Sequence, residues 1–320
     1  MNTHCVKHIK MNVLYQYPVL SSIVEADLTL LDLLHFTATC KNAMNPDVLS
    51  LLISQLKTVD NTTFIAYIKN SGVDMAIVKG LLRNPRIDPS VRNNYAIRWA
   101  SAYGNVHVVR LLLQDPHVDP SDGNNSAIRL ASEYSHLDIV RLFLQDPRVD
   151  PSDYNDEAIK LASANGHVEV VRLLLGDPRV NPTDYGDSAI WWASENGHPE
   201  VVRLLLQDQR VDPSAEGNSA IWVASENGHL EVVRLLLQDP RVDPTTDYNL
   251  ALRKASENGH LEVVHLLLKD PRVDPSDYNN YAIQLASEID HLEVVELLLA
   301  DPRVDLSAKD ILRYATCLKK

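Results

Sequence analysis

The hexapeptide Asp177-Pro178-Arg179-Val180-Asn181-Pro182 occurs again as Asp115-Pro116-His117-Val118-Asp119-Pro120, as Asp146-Pro147-Arg148-Val149-Asp150-Pro151 and as Asp239-Pro240-Arg241-Val242-Asp243-Pro244. Numbered by the Asp or Asn in its fifth place, the pattern falls at Asp88, Asp119, Asp150, Asn181, Asp212, Asp243, Asp274 and Asp305, each 31 residues after the one before, with Leu306 in place of the final proline in the last copy. Eight copies without slippage define a repeat architecture, in which each unit packs only on its neighbours. The 320 residues therefore build a linear array, not the two globular domains that length alone suggests.

One unit shows the local logic. Ala189, Ile190 and Ala193 share one face of a first helix. Asn196-Gly197 stops it, because glycine accepts the left-handed conformation that closes a helix. Pro199 opens a second helix at a position where its missing N–H costs little. That helix offers Val201, Val202, Leu204, Leu205 and Leu206 for burial, an apolar band too wide to be covered from one side. Each helix pair is therefore expected to lie between its neighbours. A column of Asn94, Asn125, Asp156, Asp187, Asn218, Asn249 and Asn280 precedes the first helices, and it reads as a set of N-caps worth about 1 kcal/mol each.

These units resemble ankyrin repeats. The likeness rests on Gly166-His167-Val168-Glu169-Val170-Val171-Arg172-Leu173-Leu174-Leu175 and its copies, with Ala-Ile-x-x-Ala before them. The opening Thr-Pro-Leu-His of that family reads Ser188-Ala189-Ile190-Trp191 here, and its Gly-Ala-Asp-Val-Asn-Ala loop reads Asp177-Pro178-Arg179-Val180-Asn181-Pro182. A step of 31 in place of about 33 shortens the loop and cramps its tip. The prolyl variant looks most like ankyrin arrays encoded by giant DNA viruses of amoebae. The resemblance implies an all-α fold, an ankyrin-type helical repeat solenoid. A degenerate first repeat is expected over 58–90, seven full repeats over 91–307 and a terminal capping helix over 308–320.

Residues 1–57 differ in pattern, and the apolar spacing over 17–57 reads as a short helical N-terminal segment of three helices, the last restarted at Pro46. Tyr17-Pro18, Ile23, Leu31-Asp32-Leu33-Leu34-His35-Phe36 and Thr39-Cys40-Lys41 resemble a degenerate F-box, although Tyr17 stands where that family has Leu and no Trp follows Lys41. That likeness implies a Skp-type adaptor as a partner of 17–57. Three apolar helices that merely cap the array give much of the same pattern, and that reading stands beside it.

Composition limits the function. A formal charge of −13 and a pI near 5.3 disfavour binding to nucleic acid or to an anionic membrane. Cys5, Cys40 and Cys317 are scattered, with no CxxC pair, so neither a disulfide framework nor a zinc site is expected. The N-terminus shows no signal-peptide core, and no apolar run approaches the roughly 18 residues of a membrane span, so an intracellular, cytoplasmic monomer is expected, in the host cytoplasm if the source is viral.

Nearly every polar residue belongs to a repeated column, whereas catalysis needs one singular constellation, so neither an enzyme nor a cofactor site is expected. His136, His167, His198, His229, His260 and His291 lie one repeat apart and cannot converge on one metal; they read as polar ties at the turns. Glu and Arg pairs at 169/172, 200/203 and 231/234 read as a solvated face. Trp99, Leu130, Leu161, Trp192, Val223 and Leu285 share a slot that reads as core, with Lys254 the exception. The slot before it holds Arg98, Arg129, Lys160, Trp191, Trp222, Arg253 and Gln284. Its polar occupants imply partial exposure, which marks Trp191 and Trp222 as apolar anchors. Tyr154, Tyr185 and Tyr278 add aromatic loop tips, with Arg92 and Glu216 in the same slot, and Glu133, Glu195, Glu226, Glu257 and Glu288 add carboxylates at the helix ends. The candidate protein-binding residues are therefore Trp191, Trp222, Tyr154, Tyr185, Tyr278, Arg98, Glu195 and Glu226, on a concave surface suited to a basic, partly apolar protein partner.

Overall fold

The computed structural model describes residues 46–69, 74–183 and 189–304. Among them there are seventeen helices and no strands. They run α1 Pro46–Ile53, α2 Asn61–Ile68, α3 Met75–Leu82, α4 Val91–Ala102, α5 Val106–Leu113, α6 Asp122–Glu133, α7 Leu137–Gln145, α8 Asp153–Ala164, α9 Val168–Leu175, α10 Ala189–Glu195, α11 Pro199–Leu206, α12 Ala215–Glu226, α13 Leu230–Gln238, α14 Thr246–Glu257, α15 Leu261–Leu268, α16 Asp277–Glu288 and α17 Leu292–Leu299. No helix among the described residues is long and apolar enough to cross a membrane. The first two helices expected in 17–57, the F-box-like motif and the terminal helix over 308–320 lie outside the described residues.

The chain divides into two compact units, one of residues 1–131 and 138–149, the other of 132–137 and 150–320. In the first, α2 packs on α4 and α3 on α5, as successive first and second helices. Phe64, Ile65 and Ile68 of α2 are buried, as are Ile77, Val78 and Leu81 of α3, and the two helices pack as a pair. Helix α1 packs on α3. The approach is close because Gly80 has no side chain: a Cβ there would sit 2.7 Å from both the Ile53 Cβ and the Ser50 carbonyl oxygen. The Asn84 amide seals this end by donating to the Ile53 and Leu56 carbonyls at 3.2 and 2.8 Å.

In the second unit the first helices α8, α10, α12, α14 and α16 form one layer and the second helices α9, α11, α13, α15 and α17 the other. Alanine makes the first layer tight: Ala162, Ala193, Ala224, Ala255 and Ala286 have no exposed surface. The second helices bury three positions in each repeat, Val201, Val202 and Leu205 in α11. Leu204 and Leu206, expected to be buried with them, are only half-buried. The valine of each prolyl loop is buried too, from Val180 to Val273. Burying an aliphatic side chain contributes roughly 1.5–3 kcal/mol, so the repeated Val-Val-x-x-Leu triad dominates the favourable side of each repeat.

The first helices α4, α6, α8, α12, α14 and α16 begin with a left-handed turn. Tyr154, Asn155 and Asp156 all have positive φ (56°, 58°, 55°), as do Glu216, Gly217 and Asn218, and Tyr278, Asn279 and Asn280. Such backbone disfavours residues other than glycine by roughly 1–2 kcal/mol each, with Asn and Asp the most tolerant.

Candidate protein-interaction surface

The Asn/Asp column takes a different role from the expected N-cap. Asn94, Asn218 and Asn249 are buried third residues of the left-handed turns, and their side chains reach forward to the next repeat. Asn218 Oδ1 accepts the Asp243 backbone N–H at 2.7 Å while Nδ2 donates to Thr246 Oγ1 at 2.9 Å. Asn94 bonds Asp119 N and Asp122 Oδ2 in the same way, and Asn249 bonds Asp274 N and Asp277 Oδ2. Asp156 keeps the acceptor half, taking the Asn181 N–H at 2.7 Å. The correction follows from backbone shape: a left-handed residue aims its side chain at the following loop, not at its own helix. Asp187 lies outside the described residues.

The prolyl loop supplies a second tie. Arg210 grips Asp208 with Nε and Nη2 (3.0 and 2.6 Å) and donates to the Val180 and Leu175 carbonyls of the preceding repeat. Arg148, Arg241 and Arg303 repeat all of this, and Arg272 repeats the Asp270 fork and the Val242 bond. The fork holds the carboxyls of Asp146, Asp177, Asp208, Asp239, Asp270 and Asp301 below their ordinary 3.8. In each, the arginine's side-chain bond is the leading cause.

The histidine column is the polar tie it was expected to be. His167, His198, His229 and His260 bond through Nε2 to the carbonyls of Glu133, Ala164, Glu195 and Glu226, one repeat back, at 2.8–2.9 Å. Each ring from His198 onward lies over the preceding turn's glycine. At Gly166 (φ 73°) an added Cβ would meet the His198 ring at 2.6 Å. No group of residues suited to a metal occurs among the described residues.

With turns and second helices occupied by these ties, variation falls on the exposed side of the first helices. The two slots expected to be core and partly exposed are both half-buried, Val223 alone being buried at 3% exposure. A slot that touches solvent accepts Lys254, which bridges Glu226 Oε1 at 3.0 Å and Glu257 Oε2 at 3.2 Å. Arg98, proposed for binding, is anchored internally: its guanidinium donates to the Asn93 and Arg92 carbonyls of its own turn. Arg129, Arg253 and Gln284 do the same. Trp191 and Trp222 stand in that slot, half-buried, and Trp191 packs edge-on against Trp192 with centroids 5.0 Å apart. Tyr154 and Tyr278 are more than half exposed at the turn tips; Tyr185 lies outside the described residues. Glu195 and Glu226 end α10 and α12, half-buried.

Two aromatic groups were not read from the sequence. In the first unit Trp99 stacks on Tyr103 (4.4 Å), touches Tyr95 edge-on and carries the Lys69 ammonium 4.3 Å above its ring. Tyr95 and Trp99 on α4 and Tyr103 at its C-cap are spaced four apart, a signal visible in the sequence. In the second unit Tyr248, Tyr278 and Tyr281 form a cluster with the Arg253 guanidinium 5.7 Å from two of the rings. Tyr248 occupies the middle tip position, so the column of first positions did not reveal it.

A family model of ankyrin repeats in three copies matches at residues 64–155, 97–184, 159–247 and 221–310. The match concerns the repeats alone, so the F-box likeness and the likeness to viral arrays rest on the sequence. No curated protein matches the chain. Helix pairs stacked layer on layer, closed by Gly and His, agree with the match, and the chain belongs to the ankyrin repeat family, whose repeats are protein–protein interaction modules.

Proposed function

We propose that the chain is a non-enzymatic scaffold that holds a protein partner on the concave side of the solenoid, against the first helices and turn tips. One observation carries this. Trp191 and Trp222 stand half-exposed in a slot where Arg98, Arg129 and Arg253 serve the fold. Two consecutive repeats thus carry large aromatic side chains in place of a structural arginine, and tryptophan is enriched among residues that dominate binding energy. Affinity capture from the native cell, followed by mass spectrometry, tests the reading. Trp191→Ala with Trp222→Ala should lose the partner, and an unchanged partner list would remove both anchors.

A second reading is a substrate-recognition adaptor of a cullin-type ubiquitin ligase, docked to a Skp-type protein through residues 17–57. The Leu31-Asp32-Leu33-Leu34 stretch favours it. Because α1 packs on α3, the informative deletion removes residues 1–45 and spares α1. Co-purification of the Skp-type protein, lost on that deletion, supports the adaptor role; its absence leaves the scaffold alone. The proposed setting for either role is the cytoplasm.

A further inference from the structure

The acidity of the chain is not evenly spread. Residues 46–149 hold 11 Lys and Arg against 10 Asp and Glu, whereas residues 150–304 hold 12 against 28. The second stretch alone carries a formal −16, more than the −13 of the whole protein. Ten of its twelve cations are already within reach of a carboxylate. Arg179, Arg210, Arg241, Arg272 and Arg303 hold loop aspartates, and Arg172, Arg203 and Arg234 pair with glutamates of the second helices. Arg253 reaches Asp247, and Lys254 bridges two glutamates. The excess is therefore uncompensated carboxylate.

On the first-helix layer this charge borders aromatic surface. Trp191, Trp192 and Trp222 are half-buried, with Glu195 and Glu226 at the ends of the same helices. Lys254 shows what the spacing accepts. Its ammonium lies between carboxylates of successive repeats, 3.0 Å from Glu226 and 3.2 Å from Glu257. One repeat earlier the same slot holds Val223, and the Glu195 and Glu226 carboxylates are spaced by the same helix stack. Tryptophan faces attract Lys and Arg through their π electrons, so rings and carboxylates select one ligand chemistry.

We infer that the α10–α14 face binds a lysine- and arginine-bearing peptide segment of the partner. One cation of the segment lies between Glu195 and Glu226 against the tryptophans, and Lys254 is an internal competitor for the next carboxylate pair. This deepens the scaffold reading and rests on it. It gives a sign that diffuse attraction to an acidic protein does not: removing one cation at Lys254 should strengthen binding far more than the loss of a single remote charge.

The test uses the full chain and a fluorescein-labelled twelve-residue peptide of alternating Lys, Arg and Ser, read by anisotropy at two salt concentrations. An equal-length peptide of Glu and Ser is the control. The basic peptide binds and weakens with salt, and the acidic one does not bind. Lys254→Leu, which restores the residue of Leu161 and Leu285 to the slot, tightens binding about two- to fivefold, the range of an exposed ion pair. Glu226→Gln and Trp222→Ala each weaken it by at least as much. Glu231→Gln on a second helix changes it less than twofold, and circular dichroism checks that each variant is folded. Equal losses from Glu226→Gln and Glu231→Gln, or no gain from Lys254→Leu, overturn the inference. If the native partner is still captured through Trp191 and Trp222 while the basic peptide fails to bind, the scaffold reading survives and this inference does not.

Discussion

Asn218 and Asp243 are joined by a 2.7 Å hydrogen bond from the Asp243 backbone N–H to the Asn218 side-chain oxygen, across 25 residues and from one repeat to the next. The same asparagine has positive φ and is buried, so a single side chain supports a disfavoured backbone and a neighbouring loop together. Asn218→Ala loses both bonds and adds strain. It should cost about 2–4 kcal/mol, the sum of a buried unpaired N–H and the left-handed penalty. Asn218→Gly keeps the backbone and should cost less, about 1–2 kcal/mol. Urea unfolding followed by circular dichroism ranks the two; equal costs would show that the left-handed backbone adds no strain, and an Asn218→Gly variant as stable as the parent would show that the tie contributes nothing.

Gly166 and His198 should be coupled. A methyl group at residue 166 meets both the positive φ and the imidazole 2.6 Å away. Gly166→Ala is expected to destabilise by about 2 kcal/mol or more, since strain and overpacking add. In a His198→Ala background the steric part disappears, so the cost should fall by about 1 kcal/mol. A double-mutant cycle measures this, and strict additivity would refute the contact.

Acid should loosen the array. Arg210 and its equivalents hold their aspartates below the ordinary 3.8. A carboxyl whose folded pKa is depressed contributes stability that is complete above its unfolded pKa and is lost as pH falls through the folded one. Melting temperature should therefore hold steady near pH 6 and fall progressively below about pH 4. Arg210→Gln should lower the plateau and make the acid limb shallower. Thermal melts from pH 6 to pH 2 in each protein check both points.

Trp222→Arg separates folding from binding. Arginine in this slot donates to the carbonyls of its own turn in Arg98, Arg129 and Arg253. Placed at 222 it can do the same for the Glu216–Asn218 turn, so stability should be unchanged or rise by up to about 1 kcal/mol. Partner capture should fall at the same time. A variant that unfolds would show that the tryptophan is packing material for the fold.

Much of this molecule was legible from spacing alone. The step of 31, the Asn-Gly stops, Pro199 at a helix start and the histidine ties follow from local rules that tertiary structure had no reason to override. The Asn/Asp column was misread for a definite reason. A short side-chain acceptor suits both an N-cap and a left-handed residue, and only the partner 25 residues away separates the two. The core slot was misjudged because Leu and Trp also line half-exposed faces, and Lys254 was the one residue that said so. The tyrosine cluster at 248, 278 and 281 needed three dimensions, since it joins two turn positions to a helix.

The asparagine ties also give the chain a direction. The turns ending in Asn94, Asp156, Asn218 and Asn249 are each completed by a backbone N–H that lies 25 residues downstream. During synthesis the N-terminal end emerges first, and a finished helix pair must wait for the following loop before its own entrance is secured. Folding then keeps step with translation one repeat behind, and the most recently made helix pair is always the loosest. A ribosome that stalls between repeats leaves one incomplete turn exposed, whatever the number of repeats already built.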